Sequence, residues 1–175
     1  MKIWTIQDYR VWELLQQDGS FSLNDESFIY ESYLNAYKWL SQKMRKKIPE
    51  SVPNTAWPIW GWVQWRDAKK FLPDLRYSLH LPTGTHGIRL CLDVNPEQIL
   101  LSDFDDWHWP LNYFANNRND INKPIPKKLD EKWARTILLE HSDLNHCSIK
   151  HRSVQATFWK IHLDQVIDTH EFIAK

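Results

Sequence analysis

Asp103, Asp105, Asp106 and His108 place four ionisable side chains within six consecutive positions. Oxygen-rich clusters suit hard divalent cations such as Mg²⁺, Ca²⁺ or Mn²⁺. Neighbouring carboxylates also shift one another's pKa toward acid–base work. A plainer use competes with both. Carboxylates ahead of a helix satisfy its free N–H groups and meet its positive end. The spacing fits no metal loop of defined geometry, so capping is favoured over a metal site at Asp103, Asp105 and His108. A second group, His141, His146, Cys147 and His151, offers zinc-type ligands. No pair there has Cys-x-x-Cys or His-x-x-x-His spacing, so a surface loop is the expected use.

Gln155 is polar among strand formers, between Val154 and Ala156. Such a residue faces water or lines a cleft, and the water-facing alternative is the more ordinary one. Trp60 with Trp62, and Trp107 with Trp109, could stack on bases, sugars or cations. With eleven Trp, seven Phe and six Tyr in 175 residues, core packing is expected first. Cys91 lies in a strand-like run, where a packed thiol is the expected reading. The four glycines build no phosphate-binding loop, which excludes P-loop hydrolases and ordinary dinucleotide-binding domains. Lys plus Arg equals Asp plus Glu at 22 each. General nucleic-acid binding, which needs a basic field, is therefore not expected. The local runs Lys43 to Lys47 and Lys123 to Lys128 read as solvated helix ends or loops. No signal peptide and no membrane-spanning run is recognisable, so a cytoplasmic protein is expected.

The elements that position these residues follow from periodicity. Lys2–Ile6 reads as a strand, and Asp8 caps a short helix that Gly19 ends. A helix is expected from about residue 25 to 46, with Ile29, Tyr33, Ala36, Tyr37, Leu40 and Met44 on one stripe. Residues 57–65 hold four tryptophans and are apolar on both faces, the pattern of a central strand. Within it, Gly61 marks a bulge or a close backbone approach, and any functional contact of this strand is expected at Gly61 and Gln64. Residues 77–81 suggest an edge strand, and 88–94 and 99–101 suggest further strands. A helix follows through residue 116, and Pro110 argues that it starts near Trp107 or Trp109. Residues 117–126 read as a loop, 130–140 as a helix, 154–161 as a strand, and 166–173 as a last strand. One α+β domain over residues 1–175 is expected, with strands and helices partly segregated.

Several stretches together resemble a bacterial family, domain of unknown function 3841. They are Ile3-Trp4-Thr5-Ile6-Gln7, Pro58-Ile59-Trp60-Gly61-Trp62, the run from Leu100 to His108, and Gln155-Ala156-Thr157-Phe158-Trp159. That resemblance carries no activity. The opening strand, followed by Trp12, Leu15 and Gly19, is also similar to the start of ADP-ribosyltransferase-like proteins. Their fold is a split, mostly antiparallel sheet with packed helices around an NAD cleft. The resemblance implies site positions at Thr5, Tyr37 and Gln155, with Arg89 or Arg76 for phosphates and NAD as cofactor. Thr5 stands where those proteins carry His or Arg, and neutral Gln155 cannot balance a cationic transition state by charge. Two alternatives come from other classes. One is a non-enzymatic protein whose aromatic groove binds a small molecule or a protein partner. The other is a metal-dependent enzyme at Asp103, Asp105 and His108.

Overall fold

The computed structural model describes residues 1–49, 52–117, 125–145 and 149–175. Strand β1 (Lys2–Asp8) leads directly into helix α1 (Tyr9–Asp18). Asp8 accepts from the Arg10 N–H at one end, and Gly19 closes the other at φ 73° with its N–H on the Leu15 carbonyl. A left-handed residue after a helix is where a missing Cβ matters. Both helix ends therefore match expectation. Strand β2 (Ser20–Ser22) follows.

The long helix expected from residue 25 is divided. Glu26–Phe28 and Glu31–Tyr33 are separate 3-10 turns, and α2 runs only over Leu34–Lys47. Asp25 accepts from the Ser27 N–H, and Ile29 is extended at φ −108°. Local side-chain bonds compete with the helix here, and β-branched Ile29 favours the extended form.

Strands β3 (Ile59–Gln64), β4 (His86–Asp93), β5 (Leu100–Asp103), β6 (Leu138–Leu139), β7 (Val154–Phe158) and β9 (Val166–Ile173) join β1 in one sheet. Its order is β6-β5-β7-β3-β1-β4-β9 and its pairings are antiparallel. The tryptophan-rich stretch is central, as its two apolar faces require. The run expected as one strand over 154–161 turns at Trp159. Strand β8 (Lys160–His162) then pairs with β2 in a separate two-stranded sheet. Residues 77–81 form turns rather than an edge strand, with the Tyr77 N–H on the Asp74 carbonyl and the His80 N–H on that of Tyr77.

Helix α3 spans Phe104–Asn116 and carries Pro110 inside it, so the expected later start is corrected. An interior proline costs about 3 kcal/mol. Here Asp103 caps the helix through two N–H groups, and Trp107 and Pro110 are buried, which offsets that cost. Helix α4 is Lys127–Thr136, and Leu138–Leu139, expected to continue a helix, is β6.

Helices α2, α3 and α4 cover one face of the sheet, around Trp39, Leu40, Trp107 and Trp133 with Leu100 below them. Leu15 of α1 and Ile161 of β8 cover the other, against Ile3, Leu90, Leu92 and Ala156. Most neighbouring strands are joined by several registered pairs. Strands β1 and β3 meet at one, Trp4 opposite Trp62. The registered pairing is thinnest along this seam. Thr5 Oγ1 donates to the Trp60 carbonyl across it at 2.7 Å. Gly61 lies on the seam too. A Cβ there would sit 3.3 Å from the Trp4 carbonyl oxygen and 3.2 Å from Phe158, the close approach its sequence context suggests.

Candidate functional site

Directly opposed residues on neighbouring strands share a face. Register therefore traces a row across the helix-covered face: Cys91 on β4, Trp4 on β1, Trp62 on β3, Gln155 on β7 and Ser102 on β5. Trp62, Gln155 and Ser102 are buried, whereas Trp4 and Trp60 are half-buried. Aromatic rings crowd this row. Phe104, from the first turn of α3, lies 5.0 Å from Trp62, and Phe71 lies 5.1 Å from Trp4. Tyr37 of α2 and Trp107 of α3 stand at 6.0 and 5.3 Å from Trp60. The result is a polar floor with aromatic walls.

Two oxygens of that floor are buried without a partner among the described residues, Gln155 Oε1 and Ser102 Oγ. They belong to residues directly opposite each other. Gln155 is 6 % exposed, so it is not the solvated strand residue that was the more ordinary expectation. It lines the covered face.

The structure brings some of the sequence-derived residues together and separates others. Tyr37 is on the Gln155 face, one residue pair along β3. Burial pushes its phenol above the ordinary tyrosine range, so it stays neutral at physiological pH. Arg89, opposite Ile6, is on the same face, half-buried and without a hydrogen-bond or ion-pair partner among the described residues. Thr5 is not. It alternates with Trp4 and so points to the opposite face, fully buried, with its hydroxyl on the Trp60 carbonyl and Gln7 on its Oγ1. The expected convergence of Thr5 with Gln155 is corrected by this parity, and Trp4 takes that place in the row. Arg76 is exposed and engaged by Asp74 through two side-chain bonds of 2.9 and 2.6 Å.

The acidic segment is a helix cap. Asp103 Oδ1 accepts from the Asp105 and Asp106 N–H groups, and its Oδ2 accepts from Arg152 Nη1 at 2.8 Å. That carboxylate raises the Arg152 pKa further. Burial, with Asp103 nearby, pushes the Asp106 carboxyl above its usual range. Asp105 is exposed, and His108 Nδ1 turns back to the Phe104 carbonyl at 3.0 Å. Among the described residues no three His, Cys, Asp or Glu side chains gather to hold a metal. The metal alternative at Asp103, Asp105 and His108 is corrected accordingly. His141 lies against the Pro96 carbonyl at 2.9 Å, and His146 and Cys147 fall outside the described residues.

Gln64 is also reassigned. Its buried Nε2 donates to the carbonyls of Ile149 and Arg152, anchoring the turn before β7. It thereby supports the Arg152–Asp103 pair. Sequence reasoning missed Ser102 and Trp4. Ser102 is the one polar residue in the short apolar strand β5 before the capping Asp103.

A family model described as Domain of unknown function (DUF3841) matches residues 2–123. The chain belongs to this family. The match ends before β7, so Gln155 lies outside it while Trp4, Trp62 and Ser102 lie inside. No curated protein and no solved structure matches the chain. Among the described residues no helix is long and apolar enough to cross a membrane.

Proposed function

We propose that this DUF3841 protein binds a small planar ligand with an amide-type edge and holds it without chemical transfer. The nicotinamide end of NAD is the test case. The observation that carries the reading is the pair of buried, unpartnered oxygens, Gln155 Oε1 and Ser102 Oγ, beside Trp62. An unpaired buried polar group costs about 1–3 kcal/mol. A carboxamide supplies what both lack, an N–H for Gln155 Oε1 and a carbonyl oxygen for the Ser102 hydroxyl. Trp62 and Phe104 offer ring faces for the planar group. Arg89, three strands from Gln155 and thus about 14 Å away across the sheet, is free for phosphates of an extended dinucleotide.

The fold reading is ADP-ribosyltransferase-like, supported by the narrow β1–β3 seam and by Gln155 on a late central strand. Binding rather than transfer follows from the residues. Gln155 carries no charge to stabilise an oxocarbenium ion. The first strand turns an indole to this face where those proteins offer His or Arg.

Titration of the full chain with NAD, nicotinamide and AMP tests the reading, followed by tryptophan emission and thermal shift. Stabilisation by NAD is expected, with no release of free nicotinamide. Gln155→Leu should weaken binding about tenfold, roughly 1.4 kcal/mol. Silence of all three ligands in both readouts would remove the proposal.

A further inference from the structure

A groove of about 480 Å³ lies between α2, the C-terminal end of α3 and the start of α4. It shares no lining residue with the Gln155 row. Lys38, Lys43 and Lys46 line its α2 wall and Lys127 its α4 wall, while Asp130 is its one lining carboxylate among the described residues. Asp130 is already committed. It accepts from Trp39 Nε1 at 2.6 Å and from Lys43 Nζ at 2.8 Å, which neutralises Lys43. Lys38 and Lys46 have no ion-pair partner among the described residues, and Lys127 has only a 3.8 Å contact with Glu131.

Helix electrostatics explains one of these lysines. Lys46 is in the last turn of α2, where a cation complements the dipole. Lys38 lies mid-helix and gains nothing of that kind. Lys127 is the first residue of α4, at the helix's positive end, where a cation is unfavourable. The N-cap there, Pro126, makes no side-chain bond to the first-turn N–H groups. An ammonium, an uncapped helix start and two further ammonium groups therefore face one concavity. Phe114 and Ile125, both half-buried, give it apolar wall area.

We propose that this groove binds a small polyphosphorylated molecule. Its volume is within the range of small-ligand sites. Lysines on both walls suit an anion with at least two phosphates, one reaching each wall. Zero net charge over the chain argues against an extended nucleic-acid backbone as the occupant. The proposal is independent of the ligand assigned to the Gln155 row.

Calorimetric titration of the full chain with inorganic tripolyphosphate and with orthophosphate tests it, at low and raised ionic strength. Tripolyphosphate is expected to bind at least about tenfold more tightly than orthophosphate. The double substitution Lys38→Glu/Lys127→Glu should remove at least about tenfold of that affinity. Lys69→Glu/Lys70→Glu, in the turn after β3, should leave it unchanged. Lys127→Glu places an acid at a helix N-terminus, which favours α4, so loss of binding with an intact melting transition is informative. Absence of tripolyphosphate binding, equal losses in both double variants, or tighter binding of a single-stranded oligonucleotide would overturn the proposal.

Discussion

Ser102 hides a hydroxyl that nothing among the described residues satisfies. Removing it should stabilise the protein and harm its ligand site. Ser102→Ala is expected to raise stability by about 1 kcal/mol, or roughly 2–4 °C in Tm at this chain length. The same change should weaken NAD binding, and paired melts and titrations read both effects. Asp106 gives a pH-dependent counterpart. Its folded pKa is raised, so the folded state holds the proton more tightly than the unfolded chain. Stability is therefore lost as pH rises from the ordinary carboxylate range through the raised value. Asp106→Asn should raise Tm slightly at neutral pH, and the gain should vanish below about pH 3.5, where both states are protonated. A gain that persists in acid would contradict the assignment. At this scale the sequence was partly legible. The type of Gln155 marked it as out of place on a strand. Its partner Ser102 lies 53 positions away in sequence and is reached only through strand register, which no local pattern contains. Thr5 was misplaced for a related reason. Residue type suggested a site, whereas the parity of β1 relative to β3 decides which face it meets.

Among the elements, β3 is the most constrained. Its glycine lets β1 approach where the two strands share one registered pair. Gly61→Ala sets a methyl 3.2 Å from Phe158 and 3.3 Å from the Trp4 carbonyl. The phenyl ring can shift, but the carbonyl belongs to a strand and cannot. A loss of about 1–3 kcal/mol is expected, measured by denaturant unfolding. Full retention of stability would show that the seam has slack. Element types were readable where patterns were long and clean, as in β1, α1, β4 and β9. Boundaries failed where tertiary packing overrode local preference. Asp103 capping and the burial of Trp107 carry α3 through Pro110. At Trp159 the chain leaves one sheet for another while its strand-like composition continues unbroken, so nothing in the residue types marks the corner.

For the molecule as a whole, tryptophan serves mainly as filler. Trp39, Trp62, Trp65, Trp107, Trp133 and Trp159 are buried, and Trp109 is 66 % exposed. The strand order of the sheet has a further consequence, for how the protein holds together along its covalent chain. From β1 the backbone crosses the seam to β3, returns to β4, crosses again to β5, and returns from β7 to β9. Neither half of the sheet is a continuous piece of polypeptide. The stretch that carries the family match, residues 2–123, contains β3 and β5 but not β7, the strand between them. Expressed alone, that stretch should show no cooperative melting transition, whereas the full chain should show one. The chain is laced back and forth across this thinly paired seam, so parting the halves requires the whole lace to come undone.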